Sequence, residues 1–343
     1  MTAVPFSPET KGARIPLHRA VREALAWEMA NDPSVFVMGE DVGIMGSVFQ
    51  IAAGLLEEFG PERVRDTPIS ESGFMAAATG AAMAGMKPVV ELMFVDFVGV
   101  CLDPIMNMAA KNAYHTGGAQ PVPMVIATGI GGGYCDASQH SQSLFATFAH
   151  LPGLKVVCPS NAYDARGLMH AAIADPNPVV YMFHKKLTGM GWFGPLKTAA
   201  VRVPDQKFEV PIGKAFVRRE GTDVTLVGWS VTLHQALEAA DKLAEQGVSA
   251  EVIDLASLVP MDVDTILASV RKTGRLVVAD EDYQNCGVAS EVITRVVERD
   301  FGALKAAPQR VCFPDIPIPF AREMEDAARP DADKIAAAAQ SIL

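Results

Sequence analysis

The chain is short of several things, and each shortage closes off a class of protein. Cysteine is scarce. Cys101, Cys135, Cys158, Cys286 and Cys312 are odd in number, and no two stand close enough in sequence to make a metal knuckle or a redox pair, so they read as reduced thiols, mostly in the core. Lys and Arg form no run and the net charge is −11. That balance argues against a protein that tracks nucleic-acid phosphates and reads more simply as a soluble chain. No apolar run reaches the roughly 18–20 residues that span a bilayer; the uncharged stretch 112–135 is interrupted by Gly, Pro, His and Gln. The opening "MTAVPFSPETKGARIPLHRA" has neither the apolar core of a secretion signal nor the Arg/Ser-rich character of a transit peptide, so the expected location is cytoplasmic. No repeat at a solenoid period occurs.

What is present is an alternation. With 343 residues, half of them apolar, the chain has the length for two domains and the means to bury large cores. Short β-branched runs at 35–38, 88–94, 123–129, 154–159, 178–183, 223–229, 250–255 and 275–280 lack a clean period of two, as strands covered on both faces do. Helical patterns lie between them, at 17–29, 231–247, 262–273 (opening on Asp262, stopping before Gly274) and from Asp331 onward. The expected class is α/β, with two parallel-sheet domains. The Gly- and Pro-rich stretch 187–211 breaks the rhythm and reads as the linker region, giving domains of 1–190 and 212–343 around a linker at 191–211.

The segments with chemical promise start at "DTPISESGF" (66–74), where Glu71 stands at the mouth of a helix that continues "MAAATGAAMAG" without a charge. An acid in a first helical turn is ordinary, because the macrodipole favours it. The functional alternative is a carboxyl held in an apolar pocket, with a raised pKa, that exchanges a proton with a bound cofactor. The rows Gly73, Ala77, Ala81, Gly85 and Ala76, Gly80, Ala84 invite close backbone approach, either within the domain or across a subunit interface. "GIGGGY" (129–134) lacks the third glycine of a dinucleotide loop and the lysine of a P-loop, leaving a flexible loop or a close backbone contact. "SQHSQS" (138–143) sets His140 in a polar loop with Gln139 and Gln142 beside it. Phe94 and Phe97 read as core, and 101–118 as a helix starting at Pro104 with Asp103 as its cap. In "ADPNP" (174–178), Asp175 and Asn177 suit a turn or, with nearby carbonyls, a hard cation.

Taken in order, "FVMGEDV", "DTPISESGF", "AAMAGMKPVVELMFVDF", "QHSQS", "LPGLKVVCPS", "DPNPVVY" and "VIDLASLVPMD" resemble the β subunit of the thiamine-diphosphate-dependent first component of 2-oxo acid and acetoin dehydrogenase complexes, over roughly 14–340. The resemblance implies a pyrimidine-binding domain followed by a transketolase C-terminal-like domain. It also implies a heterotetramer of two α and two β chains, with thiamine diphosphate at the α–β interface and its diphosphate and Mg²⁺ held by the α subunit. It implies that Glu71 contacts N1′ of the aminopyrimidine and so favours loss of the C2 proton, the step that makes the cofactor a carbon nucleophile. Phe97 and Met93 would lie beside that ring and Glu40 in its neighbourhood. His140 would serve as an acid/base in transfer to the lipoyl group of a dihydrolipoamide acyltransferase. Met124, Ala172, Asp175 and Asn177 match a structural monovalent-cation site, with K⁺ as the implied ion. Three positions depart from the pattern: Pro104 stands where many relatives carry glutamine, Val100 where pyruvate-type relatives carry glutamine, and Ala256 where "DLRT" has arginine. "ELMFVDFVGVCLD", "KTGRLVVADE" and "FGALKAAP" resemble acetoin-type chains more than pyruvate-type ones. The expected activity is acetoin cleavage with transfer of a two-carbon acyl unit. Oxidative decarboxylation of pyruvate or another 2-oxo acid is the alternative, and a non-catalytic assembly subunit or a two-chain transketolase relative are the readings from other classes.

Overall fold

A computed structural model describes residues 10–193 and 196–343. In chain order the first part contains β1 (Ala13–Ile15), α1 (Leu17–Asn31), β2 (Val35–Gly39), α2 (Leu55–Phe59), β3 (Val64–Asp66), α3 (Glu71–Met83) and β4 (Lys87–Phe94). It continues with α4 (Val98–Asp103), α5 (Ala110–His115), β5 (Val125–Ile130), α6 (Phe145–Ala149), β6 (Lys155–Val157), α7 (Ala162–Ala174), β7 (Val179–His184) and β8 (Val201–Val203). Then follow β9 (Phe216–Arg219), β10 (Val224–Gly228), α8 (Val231–Ala244), β11 (Ala250–Asp254), β12 (Ser257–Val259), α9 (Val263–Thr273), β13 (Leu276–Tyr283), α10 (Val288–Asp300), β14 (Gln309–Phe313), α11 (Arg322–Ala328) and α12 (Ala332–Gln340).

Two main sheets result, ordered β12-β6-β7-β5-β4-β2-β3 and β14-β13-β10-β11-β9. Pairing is parallel throughout except at β12 and β9, each antiparallel to its neighbour. The apolar runs explain this: β2, β5, β7, β10 and β11 are buried at every residue, which only a sheet with helices on both faces allows. The expected α/β architecture is therefore present.

The two halves are stitched together more closely than an alternation pattern can reveal. β12 follows β11 of the second sheet yet pairs with β6 of the first, and Cys158 N donates to Ala256 O at 2.9 Å. Beside this seam the guanidinium of Arg218 bridges Asp164 and Asp254, all three buried, and Ser160 Oγ donates to Asp254 at 2.8 Å. Ala256 is 1% exposed at the same seam.

The stretch read as a linker packs on the first part of the chain. Val201–Val203 forms β8 against β1, Arg166 donates to the carbonyls of Pro204 and Asp205, and Phe208 stacks on Tyr163 at 4.4 Å. Ahead of the helix expected to start at Pro104 lies a further helical turn from Val98, broken by a kink at Cys101 (φ −120°), and the helix runs on through a wide turn over Pro104–Ala109. Asp103 is helical and makes no capping bond; it accepts from Asn107 instead. Proline supplies no N–H to the carbonyl four residues back and crowds it. Here that carbonyl belongs to Val100, and the Ser72 hydroxyl donates to it instead. The thiols are less uniformly internal than expected: Cys101 and Cys158 are buried, Cys135 and Cys312 half-buried and Cys286 exposed.

Candidate active site

The carboxyl ends of β2 and β4 and the loop after β5 meet at one edge of the first sheet, where open α/β sheets place ligands. Gly39 lies opposite Glu91 in the β2–β4 register, which brings Glu40 next to β4. Glu71 opens α3 and is 9% exposed, and among the described residues no group hydrogen-bonds or ion-pairs with its carboxyl. Burial, then the Glu71 and Asp41 charges, push Glu40 above the usual carboxylate range, and its Oε1 is buried without a partner. Glu91 is pushed further, to about 8, by complete burial, although Ser47 Oγ donates to it at 2.7 Å. Burial also pushes Cys101, next to Glu71, up to about 12. Its sulfur lies 3.8 Å from Phe97 O, which ties the Glu71 corner to the aromatic pair.

Phe94 is buried and Phe97 half-buried, and both meet His140 edge-on, with ring centroids 4.7 and 5.4 Å away. Met93 is half-buried on the same strand end. Glu40, Glu71, Met93, Phe97 and His140 thus gather at one edge. A buried, unpartnered carboxyl beside an aromatic and a thioether can share a proton with a flat nitrogen heterocycle. The edge is incomplete as a pocket: Ile44, Met45, Ile69 and Val100 stay exposed near it. On α3, Gly73, Ala77 and Gly80 are exposed, while Ala76 and Ala81 of the same rows are half-buried and Ala81 packs against the core, so the rows are only partly used inside this chain.

The glycine loop is a close backbone contact. Gly131 has φ +85°, and a Cβ there would fall 1.9 Å from His184 Nε2. His184 is buried, which lowers its pKa. Its Nδ1 accepts from Lys186 N, so Nε2 carries the proton toward Glu281 at 2.6 Å. Burial would raise Glu281, but His184 and Arg329 hold it at about 2. From α11, Glu325 accepts from Gly133 N at 2.7 Å and Cys135 N at 3.0 Å. Sequence reading missed Lys185, Glu281, Glu325 and Arg329, which lie in three separate segments with no shared motif to join them.

Met124, Ala172, Asp175 and Asn177 lie elsewhere, around the starts of β5 and β7. Asp175 pairs with Lys155 and accepts from Asn177 N, so its side chain is engaged; Met124 O accepts from Val179 N and Ala172 O from Asp175 N. No group of three or more His, Cys, Asp or Glu that could hold a metal occurs among the described residues. Among them, too, no helix is long and apolar enough to cross a membrane.

This arrangement has counterparts among known proteins. Residues 13–190 match the family model for the transketolase pyrimidine-binding domain and 213–335 that for the transketolase C-terminal domain. The acetoin:2,6-dichlorophenolindophenol oxidoreductase subunit beta of Cupriavidus necator is 44% identical over 96% of this chain and 98% of that one. The chain belongs to the dehydrogenase E1 β-subunit family. The E1 β membership is borne out by the mitochondrial pyruvate dehydrogenase E1 component subunit beta-1 of Arabidopsis thaliana, 46% identical over 94% of this chain and 87% of that one. A solved split-gene transketolase in an inactive β4 tetramer superposes with a TM-score of 0.76 at 26% identity, covering 96% and 99% of the two chains. As an E1 β subunit the chain is part of a thiamine-diphosphate-dependent oxidoreductase of the acetoin or pyruvate dehydrogenase type. Its residues fit the aminopyrimidine end of that cofactor: an unpartnered buried acid at Glu71, an orphaned Glu40 oxygen and a half-buried Phe97.

Proposed function

We propose that this E1 β chain contributes the aminopyrimidine half of an active site that cleaves acetoin and passes the two-carbon acyl unit to a lipoyl carrier. The observation that carries the reading is Glu71, buried and unpartnered at the mouth of a helix whose small-residue face is exposed. Bound thiamine diphosphate supplies a carbon nucleophile and an electron sink. Glu71 holds the proton shared with N1′ of its ring, and low exposure keeps water from competing for that proton. Phe97 and Met93 pack on the ring, and Glu40, raised by burial and by the Glu71 and Asp41 charges, stands beside Glu71. His140, steered by Phe94 and Phe97, is the acid/base for acyl transfer.

The partner in this reading is an α subunit, in a heterotetramer of two α and two β chains. It covers Ile44, Met45, Ile69, Val100 and the outward face of α3, and it holds the diphosphate and Mg²⁺. A lipoyl-bearing dihydrolipoamide acyltransferase receives the acyl group. A cytoplasmic location goes with the reading and is checked by cell fractionation. We assign a structural K⁺ to the Met124–Ala172–Asp175–Asn177 turn through its main-chain oxygens, since the Asp175 carboxylate is taken by Lys155. A thermal midpoint no higher in K⁺ than in choline would remove that ion.

Acetoin is preferred over pyruvate on the sequence of β4 and the segment that follows it. The test is co-expression with a cognate α chain and thiamine-dependent reduction of an artificial acceptor, with acetoin, pyruvate and branched 2-oxo acids in parallel. The expected result is the highest kcat/KM with acetoin. A preference for pyruvate would overturn the substrate and leave the residue roles standing, whereas a formed heterotetramer without turnover on any of them would make this an assembly subunit.

A further inference from the structure

We propose that Lys185 is a positioning residue for His140. Its buried ammonium and the Tyr134 hydroxyl together hold the main-chain carbonyl of His140 and keep the imidazole seated against Phe94 and Phe97. The inference rests on the reading of His140 given above.

Lys185 follows β7 and is 0% exposed, yet among the described residues it forms no ion pair. Lysine is almost never fully buried without a partner, because removing an ammonium from water is costly. A side chain needed only to fill this space would be leucine or methionine. The contacts it does make converge on one loop residue. Nζ donates to His140 O, and Tyr134 Oη donates to the same oxygen at 2.7 Å. Nζ also sits 5.0 Å from the Phe94 ring centroid and 4.7 Å from that of Tyr134, so the cation is partly compensated by two aromatic faces. Phe94 therefore touches both the lysine that holds the carbonyl and the imidazole of the same residue. Asp96, Asp136, Glu281 and Glu325 bear on the ammonium from the surrounding elements and oppose its deprotonation by burial.

The loop needs such a clamp. Cys135 (φ 67°) and Ala137 (φ 58°) are ordinary residues in the left-handed region, so local preference does not hold the chain in this shape. Glu325 anchors one flank at the backbone of Gly133 and Cys135, and Gln142 N and Nε2 anchor the other on Asp96. Between those anchors, the His140 carbonyl is the point that Lys185 and Tyr134 grip. Losing the grip frees the peptide that carries the imidazole while leaving Glu71 and Phe97 in place.

The test uses the assembled complex with Lys185→Met, Tyr134→Phe, His140→Ala and the double variant Lys185→Met/His140→Ala. Acetylation of an isolated lipoyl domain is compared with reduction of an artificial acceptor. Deuterium uptake of the 131–144 peptide is followed separately in the cofactor-free complex. The expected result for Lys185→Met is a loss of lipoyl acetylation at least tenfold greater than its loss of acceptor reduction, with faster uptake in 131–144. Tyr134→Phe should shift both readouts in the same direction by less. Adding Lys185→Met to His140→Ala should cost nothing further, since a residue acting through another is non-additive with it. Additive losses, or equal losses in the two assays with unchanged uptake, would overturn the proposal. If Lys185→Met fails to assemble, Tyr134→Phe decides, and wild-type behaviour in both of its readouts overturns it. If His140→Ala acetylates at the wild-type rate, the reading of His140 fails and the inference falls with it; if His140→Ala is impaired and the other two variants are not, the inference alone fails.

Discussion

Glu71→Gln is expected to slow exchange of the bound cofactor's C2 proton for deuterium by about 10²–10⁴-fold, the range over which a positioned acid/base acts. The substitution keeps the shape of the side chain and removes its capacity to share a proton. Because no group in the chain hydrogen-bonds or ion-pairs with the Glu71 carboxyl among the described residues, the amide leaves no internal partner stranded. Folding and assembly should survive, so the defect should appear in proton exchange and turnover while size-exclusion chromatography still shows the complex. Exchange at the wild-type rate in this variant would end the assignment of Glu71. A complex that fails to form would mean instead that the residue's work is at the subunit contact, where α3 turns its Gly73–Ala77–Gly80 face outward.

The second large effect is expected at Arg218. It is the cation for two buried carboxylates, Asp164 and Asp254, from opposite sides of the seam between the sheets. Removing one partner of a buried ion pair costs about 3–5 kcal/mol, because the charge left behind is uncompensated. Arg218→Met should therefore lower the thermal midpoint by on the order of 10 °C, using roughly 2–4 °C per kcal/mol for chains above about 150 residues. The pH dependence has a definite sign. Burial already raises Asp164 to about 6 even with Arg218 beside it, so without the guanidinium the acid stays neutral to higher pH. A carboxyl whose folded pKa lies above its unfolded value gives stability that is full at low pH and is lost as pH rises through the folded value. The deficit of Arg218→Met should thus be larger at pH 8 than at pH 5, as differential scanning calorimetry across that range would show. A deficit that does not change with pH would mean the guanidinium acts by packing, for instance on Phe216, whose ring centroid lies 4.8 Å away. The seam also bears on Ala256. It is 1% exposed there, and Arg218 from β9 supplies the positive charge at that junction.

The sequence alone determined what short-range chemistry dictates. Apolar runs without alternation suit strands covered on both faces, and β2, β5 and β7 are such strands. Asp262 caps α9 by accepting from Thr265 N, and Gly274 ends that helix with φ 78°, as their positions foretold. Glu71 opens α3 at the helix mouth expected from the sequence, although Ser70 makes no side-chain capping bond. Order of motifs, which needs no contacts, was enough for the family. Where a local rule competed with tertiary packing, the rule lost. Asp103–Pro104 has the form of a helix start, but a helical turn already runs from Val98, kinked at Cys101, and Ser72 donates to the Val100 carbonyl that proline leaves bare. What only the tertiary structure decided involves partners far apart in the chain, which periodicity cannot encode. β12 crosses to the first sheet to meet β6, Glu325 reaches back 192 residues to Gly133, and Lys185 finds the carbonyl of His140. Burial turns those distant meetings into chemistry. Lys185, Arg218 and Glu281 meet partners that no local pattern could name, while the buried Oε1 of Glu40 is left without one.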